Sequence, residues 1–426
     1  MAGIVMKILL SALVLVTCAA CASAQDEITL GQALRASLQH NPQLTSYKIR
    51  RAELAGEQTT AALRPQTHLQ LDAENLAGSG DFKGVDGAEL TLSFASIIEL
   101  GGQCDARLGL VTARQQALDS EQRVAVLDLV AAVNYRFVAL LAAQEQLQLE
   151  QQAEQLAQGL VDSLTRRVQL GSTPQAELMR ARAVLARTAI ALEKARQQVH
   201  EQALLLSAYW GDPSPDFTRA RGDLWALANL EPLAHWQSRL AQNPDLALLA
   251  DATRLRVAEG RKAESEGRLA LGWNAGIRQL QESNDTALVV GLSLPLASGQ
   301  RASGAIKTAR AAQDAAQLAE DSTKLQLETR LQQIWSAHQQ ALSETTRLRD
   351  SILPLLQEAS RATANAFEQG RYSSLELAMS QRELLETRAQ LIGAALRAHE
   401  TRIELERLTA AAQSTVTPAT EPEVTP

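Results

Sequence analysis

"AELTLSFASIIELGGQ", residues 88–103, and "ALVVGLSLPLASGQ", residues 287–300, are the two stretches that decide the fold. In the first, Leu90, Leu92 and Phe94 alternate with Glu89, Thr91 and Ser93. In the second, Leu288, Val290, Leu292 and Leu294 fall on one side. A period of two is the mark of a strand with one apolar face. Each stretch ends in Gly-Gln, and a long run follows. No proline occurs from Gln103 to about Leu170, so the sequence predicts one helix of about 67 residues, ~100 Å long. The run from Gln300 to Gln369 is broken only by Pro354. Leu149, Ala153, Leu156, Leu160, Leu164 and Val168 recur at helical steps, a stripe suited to helix-on-helix packing.

A partner strand precedes each stretch. "THLQLDAEN" (67–75) sets Leu69, Leu71 and Ala73 against His68, Gln70, Asp72 and Glu74, and the Gly- and Asp-rich segment 77–87 joins it to the next strand. "LALGWNAGIRQL" (269–280) places Leu271, Trp273, Ala275 and Ile277 on one face.

These landmarks belong to an internal duplication. Asn41-Pro42 and Asn243-Pro244 lie 202 residues apart, and the breaks "RVQLGST" (167–173) and "FEQGRYS" (367–373) centre on Gly171 and Gly370, 199 apart. The expected organisation is a first repeat over 25–210, a Pro- and Asp-rich linker over 211–236, a second repeat over 237–409, and a low-complexity tail over 410–426. Each repeat reads as helix, two strands, long helix, break, helix.

Residues 1–24 read as a signal peptide. Lys7 precedes the apolar run "ILLSALVLV", and Ala22-Ser23-Ala24 fits the small-residue cleavage rule. Lipidation at Cys21 or Cys18 is the rival reading. No stretch after residue 25 reads as the ~20 apolar residues of a membrane-spanning helix. Aromatics make up only 3% of the 426 residues, and the composition is that of long helices. A net charge of −7 argues against a nucleic-acid binder. The six histidines are scattered, and no phosphate loop or catalytic constellation occurs. The sequence therefore predicts no enzyme, no cofactor and no resident metal.

Two hairpins almost 200 residues apart cannot build a soluble sandwich of useful size, and strands of about 9–11 residues cross a bilayer at a tilt. Four strands alone leave two edges unpaired in hydrocarbon, at several kcal/mol per group. Three copies would close 12 strands around a polar lumen. A soluble periplasmic coiled-coil scaffold is the rival from another class; it fits the helices and leaves the amphipathic strands unexplained.

This arrangement resembles the TolC family of bacterial outer-membrane efflux ducts, over nearly all of the chain after residue 25. "AELTLSFASIIELGGQCDAR" (88–107), "ALVVGLSLPLASGQRASGAIKTA" (287–309) and "PDFTRARGDL" (215–224) are similar to segments of its cobalt–zinc–cadmium branch. "LASGQRASG" (296–304) departs from that branch, which more often has Phe, Asp or Asn before the Arg. The resemblance implies a mainly α fold with transmembrane β: a long helical barrel, with four strands per chain in a shared 12-stranded barrel of a homotrimer. It also implies an outer-membrane exit duct with a large periplasmic part, working with a periplasmic adaptor and a proton-driven inner-membrane pump. Heavy-metal cations are the implied cargo, with organic solutes as the alternative. The implied adaptor contacts at the tips are Arg167, Leu170, Gly171, Ser172 and Thr173, with Gln369, Gly370, Arg371 and Tyr372. The implied gate carboxylates are Glu376 and Glu177, with Met379 departing from a second acidic ring. Leu90, Leu92, Phe94, Leu271, Trp273, Leu288, Val290 and Leu292 are the expected lipid-facing residues.

Overall fold

The computed structural model describes residues 27–80, 83–229, 231–296 and 298–411. The expected signal peptide over 1–24 and the expected tail from 412 onward lie outside the described residues. In chain order the elements begin with β1 (Glu27–Thr29), α1 (Leu30–His40), α2 (Pro42–Ala61), β2 (His68–Glu74), β3 (Glu89–Glu99), α3 (Gln103–Gln169) and α4 (Gln175–Ser207). They continue with β4 (Arg219–Arg221), α5 (Leu233–Leu240), α6 (Pro244–Glu266), β5 (Ala270–Leu280), β6 (Asp285–Ser293), α7 (Ser298–Arg347), α8 (Leu353–Glu368) and α9 (Ser374–Leu408).

The 67-residue helix predicted after the first decisive stretch is α3, one continuous helix. The second run is interrupted where expected. Pro354 has no N–H to offer the preceding turn, and the chain widens into a π-helical turn at Leu348–Ile352 before α8 resumes. One expectation is corrected. An 18-residue window of α3 has a mean hydropathy of 1.9, apolar enough by length and composition to cross a membrane. Half of that window is buried in the fold, which explains its apolar character without a bilayer.

The chain forms two compact units, each built from three segments. Among the described residues, the first comprises 27–42, 128–233 and 333–407. It holds a small feature that the linker reading missed. β1 and β4 pair in parallel, with Ile28 opposite Ala220. The Gln144 side chain completes the free edge of β4, accepting from Ala220 N at 2.8 Å and donating to Ala220 O at 3.2 Å. Strands of three residues carry too little periodicity to be read from sequence. Leu348, Leu391 and Ala394 form one apolar cluster of this unit, flanked by Trp225 and Leu353.

Among the described residues, the second unit comprises 43–127, 234–332 and 408–411. It contains one four-stranded antiparallel sheet in the order β2-β3-β5-β6. The central β3–β5 ladder joins the two repeats, running from Glu89↔Leu280 to Glu99↔Ala270. β2 and β6 are the outer strands, and each has one unpaired side among the described residues. β3 runs five residues beyond the alternating segment first recognised, because Ile97, Ile98 and Glu99 continue the ladder on β5.

The repeated Asn-Pro pairs have matching roles. Buried Asn41 donates to the carbonyl of Tyr209 at 2.9 Å, just beyond α4. Buried Asn243 donates to the carbonyl of Leu408 at 2.8 Å, the last residue of α9. Each asparagine therefore ties the start of a repeat to its end.

Candidate functional sites: the hairpin tips and the strand sheet

Each tip is built by the same backbone device. At the first, Gly171 N donates to Val168 O at 3.0 Å and Ser172 N to Arg167 O at 2.9 Å. At the second, Gly370 N donates to Phe367 O at 3.0 Å and Arg371 N to Ala366 O at 2.8 Å. These crossed bonds are the Schellman closure of a helix, which needs a left-handed residue after the last turn. Gly171 has φ +72° and Gly370 φ +71°, a region that other residues resist.

Arg167, placed at the first tip by the sequence, binds the second. Its guanidinium lies 4.1 Å from the centre of the Phe367 ring and donates to the Phe367 carbonyl at 2.7 Å. Phe367 is buried with Leu160, Val161, Leu164, Leu178, Ala181 and Leu377 in a cluster drawn from both hairpins. Leu170 is 82% exposed, and Tyr372, Leu375 and Met379 are exposed beside the second break. Ser172 Oγ turns back to Arg167 O at 2.9 Å, Thr173 is half-buried, and the Gln369 side chain accepts from Arg371.

The two acids just after the breaks have partners of their own. Glu376 accepts from Ser373 N at 2.7 Å and Ser373 Oγ at 2.9 Å, while Glu376 N donates to Ser373 Oγ at 3.3 Å. This is a capping box, visible in the sequence as Ser-x-x-Glu at 373–376. The Ser373 backbone N–H, then its hydroxyl, hold the Glu376 carboxyl below the usual range, and the carboxyl stands in solvent. Glu177 accepts from Ser374 Oγ at 2.6 Å, a second tie between the hairpins. Phe367 and Ser373 lie within the break read from the sequence and Ser374 directly follows it, but the bonds that these three make were not read. The capping spacing was the one available signal, since long-range partners leave none.

In the sheet, register sets apolar rows across the strands. Leu71, Leu92, Ile277 and Leu288 form one row, and Leu69, Phe94, Ala275 and Val290 the next. Leu90, Leu92, Phe94, Leu288, Val290 and Leu292 are all about half to three-quarters exposed. Leu271 and Trp273 are half-buried, more sheltered than the other residues expected on that face. The opposite face is polar. Arg278 reaches Thr91 at 3.0 Å, Glu89 at 2.7 Å and Glu74 at 3.2 Å. That network buries Thr91 to 4% exposure, so this position does not stand open to water in the chain. Gly276 is required by close approach: a Cβ there would lie 2.4 Å from Leu92 O. Among the described residues, no group of three or more His, Cys, Asp or Glu side chains is arranged to hold a metal ion.

A four-stranded amphipathic sheet and paired helical hairpins in one chain are an unusual combination, and comparison with known proteins identifies it. The sequence pattern of the outer membrane efflux protein family matches residues 33–212 and 236–411. The chain belongs to that family. It is an outer-membrane channel protein with a large periplasmic part. The cobalt-zinc-cadmium resistance protein CzcC of Cupriavidus metallidurans is 25% identical over 73% of this chain and 74% of its own. The pyoverdine export outer membrane protein OpmQ of Pseudomonas putida is 28% identical over 65% of this chain and 63% of its own. Among solved structures, the outer membrane protein VceC of Vibrio cholerae superposes with a TM-score of 0.73 at 18% identity, covering 89% of this chain and 95% of its own. That likeness establishes the fold, a helical barrel joined to β-barrel strands, as the resemblance implied.

Proposed function

We propose that this chain is the exit duct of a tripartite efflux system that carries heavy-metal cations across the outer membrane. The observation that carries the duct is the sheet itself. Its outer strands β2 and β6 run antiparallel to one another and each leaves one edge open, while one face carries exposed apolar rows. A second copy can add β2 to β6 in antiparallel fashion, and only closure satisfies every edge in hydrocarbon. Three copies close a 12-stranded barrel wide enough for a lumen. The helical hairpins of the same three copies form the periplasmic tube. Leu90, Leu92, Phe94, Leu271, Trp273, Leu288, Val290 and Leu292 then face lipid.

The tips at 167–173 and 369–372 meet a periplasmic adaptor, which couples the duct to a proton-driven inner-membrane pump. Exposed Leu170 and Tyr372 are the apolar anchors such a contact needs. Arg167 acts behind them by holding the two tips together. Glu376, and with it Glu177, lies at the mouth of the tube as gate acids. Glu376 is exposed, so three copies would place three carboxylates near one axis. The signal peptide over 1–24 and the repeat boundaries at 210, 237 and 409 complete the reading. The similarity to CzcC favours metal cations as cargo, and the likeness to OpmQ supports an organic solute as the second reading.

Deletion of the gene, followed by growth on graded zinc, cobalt, cadmium and a set of organic drugs, separates the two. Sensitivity to divalent metals, restored by the gene, is the expected result. Sensitivity to organic compounds alone would replace the metal reading and keep the duct.

A further inference from the structure

The four crossings between helix and strand lie at one end of the sheet, where β2 and β5 begin and β3 and β6 finish. Each crossing carries an exposed leucine: Leu63 at 62%, Leu100 at 63%, Leu269 at 49% and Leu296 at 81%. Three carry an exposed arginine within five residues of that leucine, namely Arg64, Arg268 and Arg301. None of the three has a carboxylate within ion-pair distance among the described residues. Arg268 donates only to a backbone carbonyl, that of Gly101, at 3.2 Å. Nearby acids are already engaged: Glu99 by Arg107, Glu264 by Arg310 and Glu266 by Lys262, which leaves Asp105 outside an ion pair. The opposite end of the sheet has the reverse balance. Glu74 and Glu89 share Arg278, and Glu282, Asp285 and Asp86 lie exposed in or beside its loops, against one exposed lysine there, Lys83.

We propose that this end of the sheet is a binding belt for anionic phospholipid, in which the leucines enter the acyl region and Arg64, Arg268 and Arg301 hold headgroup phosphates. The spacing matches that partner. An unpaired guanidinium is a planar fork suited to phosphate oxygens, and an apolar side chain a few residues away lies where the hydrocarbon begins. A free phosphate would leave the leucines in water. A protein partner would need acids at three separate crossings. In the closed barrel the belt becomes a ring of nine such arginines on the periplasmic side. The acidic end then faces the outer surface. This inference rests on the barrel reading of the preceding section.

The test uses full-length wild-type protein purified in detergent, delipidated, and incubated with vesicles of phosphatidylglycerol or phosphatidylcholine, with and without inorganic phosphate. Bound lipid is counted by native mass spectrometry, which also reports whether the trimer has assembled. The wild type should retain phosphatidylglycerol over phosphatidylcholine. R64Q/R268Q/R301Q should lose most of that preference, at roughly fivefold per arginine. R64K/R268K/R301K keeps the charge and should keep a reduced preference, which covers the case in which the glutamine variant fails to assemble. Equal retention of both lipids by the wild type, an unchanged preference in R64Q/R268Q/R301Q, or complete loss in the lysine variant would overturn the proposal. Displacement of phosphatidylglycerol by inorganic phosphate would overturn it as well, since the site would then read the phosphate alone. Absence of any trimer would count against the barrel reading instead.

Discussion

Asn243 shows how much one side chain can hold. It is 1% exposed, accepts from Asp245 N at 2.6 Å as the cap of α6, and donates to Leu408 O at 2.8 Å. Asn243→Ala removes both bonds and leaves a buried carbonyl without its donor, at a cost of about 1–3 kcal/mol. Thermal unfolding in detergent should show a lowered midpoint, and an unchanged midpoint would mean that water replaces the side chain fully. His338 makes a different demand. It is 3% exposed, its Nδ1 lies 3.0 Å from Thr401 Oγ1, and Nε2 is buried without a partner among the described residues. Thr401 gives its own proton to the carbonyl of Arg397 or Ala398, so Nδ1 is the donor and Nε2 carries the lone pair. Burial first, and then the Arg402 charge, push the His338 pKa down to about 4 from 6.5. The neutral ring belongs to the folded state, while the unfolded chain takes up a proton near 6.5. Stability is therefore full above that value and falls as pH drops toward 4, by at most about 3 kcal/mol. His338→Gln cannot titrate, so its midpoint should drop less than that of the wild type between pH 7.5 and pH 5. Equal drops in the two proteins would show that other groups govern the acid limb.

The elements were legible to very different degrees. α3 and the four sheet strands could be read because their periodicities extend over many residues, and the duplication doubled each signal. The tips could be placed because only a left-handed residue closes a Schellman motif, which makes Gly171 and Gly370 conspicuous. The β1–β4 pair could not be read, since its strands have three residues each and β4 is bonded on its other edge by Gln144, 76 residues away from Ala220. The Arg167–Phe367 contact was equally silent, because its partners lie 200 residues apart. The polar strand face was read correctly as polar and too simply as open to water, since the long Arg278 side chain folds over Thr91. That difference changes which substitutions discriminate between the faces. Leu92→Arg and Leu292→Arg place a charge on the exposed apolar rows, where lipid contact costs about 2–4 kcal/mol near mid-bilayer. Both should prevent accumulation of heat-sensitive oligomer in the outer membrane. Gln70→Arg, on the exposed part of the polar face, should assemble normally. Normal assembly of all three variants in a heat-shift gel would mean that these rows do not meet lipid.

At the scale of the whole molecule, the proposed trimer sets two requirements at the tips: the hairpins must hold together and the tube must still open. Within one chain the tips form one block, joined by Arg167 to Phe367 and by Ser374 to Glu177. Opening by separation of whole chains would leave both ties intact, so closure must be sought in groups that face other copies. In the proposed trimer Glu376 would be such a group, being exposed and in the first turn of α9. Its bonds to Ser373 lower its proton affinity in the single chain, which keeps it charged at neutral pH. Three such charges around an axis repel one another and attract cations. A divalent ion that bridges them would hold the mouth narrow, and Met379 one turn further offers no second acidic layer. Glu376→Gln isolates the charge, because glutamine in the same position of a capping box still accepts from the Ser373 N–H. The tip should therefore stay folded while the ring is neutralised. In planar bilayers, the wild type should show low conductance that divalent cations block from the periplasmic side, and Glu376→Gln should lose most of that block. Glu177→Gln likewise keeps an acceptor for Ser374, and its smaller effect would place Glu177 in the tie between tips and Glu376 on the axis. Unchanged divalent block in Glu376→Gln would reduce this glutamate to a helix cap and move the gate elsewhere along the tube.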